Sequence, residues 1–232
     1  MSHQTDFSFI TASDLPDYSL EHPFSGQGAV IGVDEAGRGP WAGPVTAAAF
    51  WINPGKMTTL PAGLTDSKKL TARKREQIRQ AVCSPDSGHL WAVRHSSVDQ
   101  IDKDGILPAT FAAMAEAVRA LADQLQNTHN LRPAMVLVDG NLVPPLSFPC
   151  QAVIRGDSRS LSIAAASVMA KQARDEVMTD LDRQYPGYGW QTNAGYGTKA
   201  HQQALRRIGH TPHHRKSFAP IKALLSSGGQ SS

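Results

Sequence analysis

The chain contains the stretch Val33-Asp34-Glu35-Ala36-Gly37-Arg38-Gly39-Pro40. It follows directly on an apolar, β-branched run at residues 29–33, which predicts a buried strand. Two adjacent carboxylates at the end of such a strand repel each other and raise each other's pKa values unless a cation neutralises them. The stretch therefore favours a site for a hard, oxygen-binding ion such as Mg²⁺ or Mn²⁺, and a solvated Asp-Glu turn is the alternative for the dipeptide alone.

Two later apolar runs also lead to acids. Residues 135–138 end at Asp139, and residues 152–154 lead through a short connection to Asp157. Ligands of open α/β sheets collect outside the carboxyl ends of the strands, so strands of one sheet bring such residues together. We therefore expect four carboxylates to converge: Asp34, Glu35, Asp139 and Asp157.

The adjacent acids impose a condition on the first strand. Neighbouring residues of an extended strand point to opposite faces, so Asp34 and Glu35 cannot both face one site if the strand runs straight. We predict a bend at Glu35, which Gly37 and Gly39 make easy because glycine adopts conformations that other residues avoid.

The chain resembles the bacterial ribonuclease HII family. The matching motifs occur in the family's order from about Val30 to Lys222, and such an ordered set is far more specific than any one block. They are Asp34-Glu35-Ala36-Gly37-Arg38-Gly39-Pro40, Asp66-Ser67-Lys68-Lys69-Leu70, Val138-Asp139-Gly140-Asn141, Gly156-Asp157 with Ser162-Ile163-Ala164-Ala165-Ala166-Ser167, Tyr185-Pro186-Gly187-Tyr188-Gly189, Gly195-Tyr196-Gly197-Thr198-Lys199, and His214-Arg215 with Ser217-Phe218.

The resemblance implies a ribonuclease H-like α/β fold, with a mixed central sheet flanked by helices and a small helical C-terminal part. It implies hydrolysis of the RNA strand of RNA/DNA hybrids and cleavage 5′ of single ribonucleotides in duplex DNA, leaving 3′-hydroxyl and 5′-phosphate ends. It also implies two divalent ions, Mn²⁺ or Mg²⁺, beside the scissile phosphate. Asp34, Glu35, Asp139 and Asp157 are the expected ligands, and a helix N-cap is the alternative for Asp157.

The resemblance also implies substrate contacts. The backbone of Gly37, Arg38 and Gly39 would read the 2′-hydroxyl, by which proteins distinguish RNA from DNA, although a simple turn also explains a Gly-x-Gly. Tyr196 would stack on the sugar beside the ribonucleotide, and a packed aromatic residue is the alternative. Apart from the resemblance, three lysines are candidates for phosphate contacts, although surface lysines are usually only solvated: Lys68, Lys69 and Lys171.

The charge of the chain is unevenly distributed. Its net charge is +3, yet no Asp or Glu occurs from Tyr185 to Ser232. Six basic residues and several aromatic ones lie there, which favours a phosphate-binding surface over a solvated tail: Lys199, Arg206, Arg207, Arg215, Lys216 and Lys222. The four histidines of this segment have no cysteine partners and no HExxH pattern, so zinc is disfavoured.

Length, composition and cysteine content predict the organisation of the chain. The 232 residues suit one domain, and no membrane segment or secretion signal is apparent, which predicts a cytoplasmic protein. Cys83 and Cys150 are expected as reduced thiols, with a disulfide between them as the alternative. We expect an irregular leader at residues 1–28 and a catalytic domain at residues 29–225. The basic substrate-binding part of this domain is expected at about residues 185–225, and a flexible tail at 226–232.

Secondary structure is predicted from local patterns. The first strand is expected to pair in antiparallel fashion with a second one at residues 45–52, and a third strand is expected at 89–95. Helices are expected after the caps Thr71 and Ser97, and at 107–125 and 160–185.

Two alternatives to a ribonuclease HII-type enzyme are open. Ribonuclease HIII cleaves hybrids but acts poorly on single ribonucleotides, and its large N-terminal domain would need more than the 28 residues before the first strand. A catalytically silent hybrid-binding module could lose the acids that this chain keeps. We expect a monomer that acts on RNA/DNA hybrids and on ribonucleotide-containing DNA duplexes, without a membrane partner, and a replication clamp is a candidate partner.

Overall fold

The computed structural model describes residues 15–227. This part of the chain is built on a five-stranded sheet with the strand order β3-β2-β1-β4-β5. The strands are β1 (Ala29–Ala36), β2 (Val45–Trp51), β3 (Leu90–Ser96), β4 (Pro133–Asp139) and β5 (Cys150–Val153). The β1/β2 and β2/β3 pairs are antiparallel, whereas the β1/β4 and β4/β5 pairs are parallel. The sheet is therefore mixed, as predicted.

Seven α-helices accompany the sheet within residues 15–227: α1 (Ala72–Val82), α2 (Val98–Asp104), α3 (Ile106–His129), α4 (Leu161–Gln184), α5 (Trp190–Asn193), α6 (Lys199–Ile208) and α7 (Ala219–Ser227). The predicted caps are confirmed, because the side chains of Thr71 and Ser97 each accept a hydrogen bond from an N–H of the following turn. None of the helices described has both the length and the apolar character needed to cross a bilayer.

Helices cover both faces of the sheet. α3 packs on one face over a core that includes Ile31 and Val33. α4 packs on the other face, where its alanines at 164–166 are buried against the sheet. A Cβ at Gly32 would lie 2.2 Å from the carbonyl carbon of Ser162, so β1 and the start of α4 are in direct backbone contact. This contact fixes the start of α4 relative to the end of β1.

β1 is longer than predicted. The strand does not bend at Glu35 but continues to Ala36, and its pairing with β2 is unbroken from Ile31 onward. The predicted bend is wrong because the antiparallel neighbour keeps this segment extended. Asp34 and Glu35 therefore leave the strand on opposite faces.

The small helical C-terminal part has its own core. The rings of Tyr188 and Trp190 stack with centroids 4.9 Å apart. His201 and His214 are fully buried beside them, with their Nε2 atoms 3.0 Å apart. Burial lowers the pKa of both imidazoles, in His214 to about 3. These histidines are thus neutral core residues.

The predicted leader and tail are partly described. α7 includes residues 226 and 227, which the sequence assigns to the tail, while residues 1–14 and 228–232 lie outside the described residues. Cys83 and Cys150 are free thiols.

Residues 15–28 are attached to the start of α4 by a buried glutamate. The Glu21 carboxylate oxygen Oε1 accepts hydrogen bonds from the hydroxyl of Ser160 at 2.6 Å and from the N–H and hydroxyl of Ser162 at 2.9 and 2.7 Å. Ser160 itself caps α4 by accepting from the N–H of Ile163. Glu21 therefore reinforces the cap from a distant part of the chain.

Replacement of Glu21 by alanine should lower the stability of the protein. Three donors at the buried start of α4 lose their acceptor, and each unsatisfied donor costs about 1–3 kcal/mol, so we expect a loss of roughly 2 kcal/mol or more. Urea unfolding measures this change. Glu21→Gln keeps an acceptor oxygen and should lose less, and Glu116→Ala on the exposed side of α3 is the control. Equal unfolding free energies for Glu21→Ala and the parent would contradict the capping role.

Candidate active site

Three carboxylates meet where β1 and β4 run parallel. Val33 pairs with Val138, so the residues that follow them, Asp34 and Asp139, are neighbours. The turn before α4 brings Asp157 to the same place. One oxygen from each of the three carboxylates lies within 4.8 Å of the other two. Within residues 15–227, no other group of three or more His, Cys, Asp or Glu side chains could hold a metal ion.

Asp157 is not the cap of α4. That position belongs to Ser160, and Asp157 lies in the preceding 3-10 turn, Gly156–Ser158. Asp139 holds this turn, because its Oδ1 accepts a hydrogen bond from the N–H of Gly156 at 2.7 Å. The alternative explanation of Asp157 is therefore wrong, and one acid of the cluster positions another.

Burial and neighbouring negative charges disfavour the ionised forms of Asp34 and Asp157. Burial, together with the charges of Glu35 and Asp139, raises the pKa of Asp34 well above its ordinary value. Burial and the charge of Asp139 likewise raise the pKa of Asp157. A divalent cation would favour the ionised form of each carboxylate, and carboxylate oxygens are the ligands that Mg²⁺ and Mn²⁺ prefer.

Glu35 lies outside the tight cluster. One of its carboxylate oxygens is 3.3 Å from the guanidinium of Arg38. Burial raises the pKa of Glu35, the charge of Arg38 opposes the increase, and the charge of Asp139 adds to it. Glu35 is therefore electrostatically coupled to the cluster, and its role as a metal ligand stays a prediction.

Two buried serines support Asp34, although the sequence analysis did not single them out. The hydroxyl oxygens of Ser167 in α4 and of Ser67 are 2.9 Å apart, within hydrogen-bond distance. A hydrogen bond from Ser167 favours the ionised form of Asp34 and partly offsets the effect of burial on its pKa. Both serines lie within the motifs that carry the family resemblance, which was the available signal.

A cleft of about 430 Å³ opens beside the acids. Seven of the residues that the sequence assigns to the site line it: Glu35, Gly37, Arg38, Gly39, Lys68, Lys171 and Tyr196. The side chain of Tyr196 is 50% exposed, and one ring atom lies 3.5 Å from the point where a Cβ of Gly39 would be. Tyr196 is thus not a core residue, and its ring can contact a ligand in the cleft.

The three predicted lysines differ in their surroundings. Partial burial disfavours the charge of Lys68, but the neighbouring carboxylates outweigh it and raise its pKa, Asp34 the most strongly. Lys171 also lines the cleft, and its ammonium is 2.5 Å from the carboxylate of Asp175. Lys69 is exposed but does not line the cleft. Their phosphate contacts stay predictions.

The basic C-terminal residues also divide into two kinds. Five are exposed: Lys199, Arg206, Arg207, Lys216 and Lys222. Arg215, by contrast, is fully buried. Its guanidinium donates to the backbone carbonyls of the loop that follows β1, namely those of Gly37, Arg38, Gly43 and Pro44. The expected contact of Arg215 with phosphate is therefore wrong.

Comparison with known proteins identifies the family. The family model for ribonuclease HII matches residues 31–221. A ribonuclease HII of Paracoccus denitrificans (strain Pd 1222) is 52% identical over 213 residues, which cover 90% of this chain and 95% of that relative. The chain belongs to the ribonuclease HII family.

Solved structures show the same fold. The ribonuclease H2 of Pyrococcus horikoshii OT3 matches with a TM-score of 0.65 and 23% identity, covering 87% of this chain and 99% of that one. The ribonuclease HII in the PCNA complex from Archaeoglobus fulgidus matches with a TM-score of 0.60 and 21% identity, covering 81% and 93%. The predicted ribonuclease H-like fold is confirmed. Family membership makes the protein a ribonuclease H endonuclease, a nuclease of RNA/DNA hybrids.

Replacement of Asp34 by asparagine should stabilise the metal-free protein at neutral pH. The pKa of Asp34 is higher in the folded state than the ordinary value of 3.8, so the folded state binds the proton more tightly. The stabilisation that comes from this tighter proton binding is fully present below pH 3.8 and is lost as the pH rises through the raised pKa of the folded state. Asparagine stays neutral, so the variant avoids the loss.

Thermal unfolding in chelator across this pH range tests the prediction. The Tm of Asp34→Asn should exceed that of the parent at neutral pH, and the gap should close below pH 3.8. Asp123→Asn, at an exposed position of α3, is the control. Saturating Mg²⁺ should raise the Tm of the parent more than that of the variant, because an ion that binds only the folded state stabilises it. A parent and variant with equal Tm at every pH would contradict the assignment.

Proposed function

We propose that the protein cuts on the 5′ side of single ribonucleotides in duplex DNA, in addition to the RNA strand of hybrids, and leaves 3′-hydroxyl and 5′-phosphate ends. The observation that carries this proposal is a cleft lined by the segment 37–39, which has glycine at both ends, and by the exposed ring of Tyr196, beside the carboxylate cluster. A water oxygen forms a bond to phosphorus, and the bond from phosphorus to the 3′ oxygen of the preceding nucleotide breaks.

The donor set fits Mn²⁺ or Mg²⁺. Three carboxylate oxygens are close enough to share a cation, and burial makes their mutual repulsion stronger. We propose Asp34, Asp139 and Asp157 as ligands, with Glu35 completing the set. Bound divalent ions would supply the positive charge that activates the attacking water and stabilises the departing 3′ oxygen.

The proposed reader of the ribose is the backbone from Gly37 to Gly39. Gly37 has a φ of 95°, and a Cβ at this position would lie 1.9 Å from Nε of Arg174. A side chain is therefore excluded both by the backbone conformation and by the neighbouring arginine. Backbone groups that no side chain covers can approach a sugar closely enough to bond its 2′-hydroxyl, which DNA lacks.

The proposed reader of the junction is Tyr196, which lines the same cleft as Lys68 and Lys171. Its ring would stack on the deoxyribose next to the ribonucleotide. The lysines at 68, 69 and 171 would contact phosphates, which positions a duplex without reading its sequence.

Replacement of Asp139 by asparagine should abolish cleavage of a duplex that contains one ribonucleotide. The change removes a proposed ligand charge, whereas binding of the duplex depends mainly on phosphate contacts elsewhere and should survive. Cleavage and binding are measured with Mg²⁺, with Mn²⁺ and with EDTA, and Asp123→Asn serves as the control. A variant that keeps a tenth or more of the parent's turnover at saturating metal would overturn the assignment.

Replacement of Tyr196 by alanine should reduce activity far more on a single embedded ribonucleotide than on a continuous hybrid. Loss of one stacking contact costs about 1–3 kcal/mol, or roughly five- to 160-fold, and a hybrid offers many alternative registers that soften the loss. The measurement is kcat/KM for both substrates at equal salt and metal. Tyr196→Phe keeps the ring and should keep the preference. Equal losses on both substrates would remove the proposed junction-reading role.

The alternatives lead to different outcomes in the same assays. A ribonuclease HIII-like enzyme would cut the hybrid and leave the single ribonucleotide almost untouched. We propose that residues 29–225 form the catalytic domain and that the protein acts as a monomer in the cytoplasm during removal of ribonucleotides from DNA. Recruitment by a replication clamp stays a prediction, for which the complex of the Archaeoglobus relative with PCNA is the available support.

A further inference from the structure

Arg215 is buried without a carboxylate partner. No ion pair to it occurs among the described residues, and its guanidinium instead donates only to backbone carbonyls. Nη1 donates to the carbonyl oxygen of Arg38 at 2.9 Å, and Nη2 donates to that of Gly37 at 2.6 Å. Further bonds run to Gly43 and Pro44. One side chain thus binds both ends of the loop from 37 to 44.

Arg174 holds the same loop from the side of α4. It is almost fully buried and donates to the carbonyl oxygens of Pro44, Ala194 and Ala42 at 3.0, 3.0 and 3.1 Å. Ala194 begins the turn that carries Tyr196. Arg174 therefore connects the loop after β1 with the segment that presents the tyrosine.

Because peptide units are planar, the carbonyl contacts of Arg215 determine where the N–H groups of the loop point. The peptides are trans, so the C=O and N–H of each unit point in opposite directions. With the carbonyls of Gly37 and Arg38 bound to Arg215, the N–H groups of Arg38 and Gly39 must point away from it. Neither N–H has an acceptor among the described residues. Arg38 and Gly39 line the cleft, whereas Arg215 does not.

We propose that Arg215 is a positioning residue for recognition of the ribose. By holding the carbonyls of Gly37 and Arg38, it directs the amides of Arg38 and Gly39 into the cleft, where they donate to the 2′-hydroxyl oxygen. The inference rests on the proposed function, because it assigns the means by which the 37–39 backbone is kept in its reading conformation.

The surroundings of Arg215 agree with this role. Its own N–H donates to the carbonyl of Trp41 at 2.8 Å, so the segment of Arg215 runs directly alongside the loop. Asp102 of α2 holds the residues that follow, because its carboxylate accepts from the N–H groups of Lys216 and Ser217, each at 2.9 Å. The backbone that carries Arg215 is thus held both by the loop after β1 and by α2.

The test is the preference for a ribonucleotide in binding, measured as a ratio of dissociation constants. Each variant is placed in the Asp139→Asn background, which we expect to bind the duplex without cleaving it. Kd is determined for an all-DNA duplex and for the same duplex with one ribonucleotide, at equal salt and Mg²⁺. Arg215→Lys keeps the charge but cannot present a planar fork to several carbonyls at once. We expect the Kd of the all-DNA duplex divided by the Kd of the ribonucleotide-containing duplex to fall about tenfold toward one. This is the effect expected for the loss of one or two hydrogen bonds. Affinity for the all-DNA duplex should change less than about threefold, well below the shift that one hydrogen bond to a charged group would give.

Two further variants keep the test decisive. Arg119→Lys, at an exposed position of α3, is the matched control and should keep the full ratio. Asp102→Ala loosens the segment that carries Arg215 without changing a buried charge, and it should lower the ratio in part. If Arg215→Lys does not fold, Asp102→Ala decides alone: a lowered ratio supports the inference and an unchanged ratio overturns it.

The remaining outcomes separate this inference from the function beneath it. A folded Arg215→Lys whose ratio is unchanged, or whose two affinities fall equally, shows that Arg215 has only a general structural role and overturns the inference alone. A parent without any preference for the ribonucleotide would instead remove the proposed ribose recognition, and the inference would fall with it.

Discussion

The parallel pairing of β1 with β4 is the constraint on which the site depends. Because Val33 pairs with Val138, the next residues, Asp34 and Asp139, are neighbours whatever their charges. α4 then packs so closely on β1 that Gly32 has no room for a Cβ, and this contact places Asp157, just before α4, at the same edge. Backbone geometry thus holds like charges together, although the charge of Asp139 raises the pKa values of Asp34 and Asp157.

Buried charge has two different roles in this protein. Burial lowers the pKa of Arg174 to about 10 and that of Arg215 to about 9, yet both guanidiniums find backbone carbonyls for their donors. Such satisfied charges make a loop rigid. Burial and negative neighbours instead raise the pKa values of Asp34 and Asp157, and a bound cation would favour their ionised forms. Such perturbed pKa values are typical of functional sites. Residues 37–39 of this rigid loop line the cleft that opens beside the acids.

The predicted helix starts after Thr71 and Ser97 depend only on neighbours in the sequence, and both were confirmed. The side chains of Thr71 and Ser97 bond the turn that immediately follows, and Ser160, whose capping role was not predicted, does the same. The bend at Glu35 was wrong because pairing with β2 keeps the strand extended, and β2 begins only after the intervening loop. The phosphate contact of Arg215 was wrong because its burial depends on carbonyls near the other end of the chain, with Arg38 177 positions away.

The sequence by itself determined the order of strands and helices, the acids at the strand ends and, through its ordered motifs, the family. These features depend on residue type and on short spacings, which are visible in the sequence without knowledge of the contacts between distant segments. Only the tertiary structure decided that Asp34, Asp139 and Asp157 share the tight cluster while Glu35 pairs with Arg38. It also decided which basic residues face solvent. Both outcomes depend on burial and on contacts between distant segments, and residue type alone specifies neither.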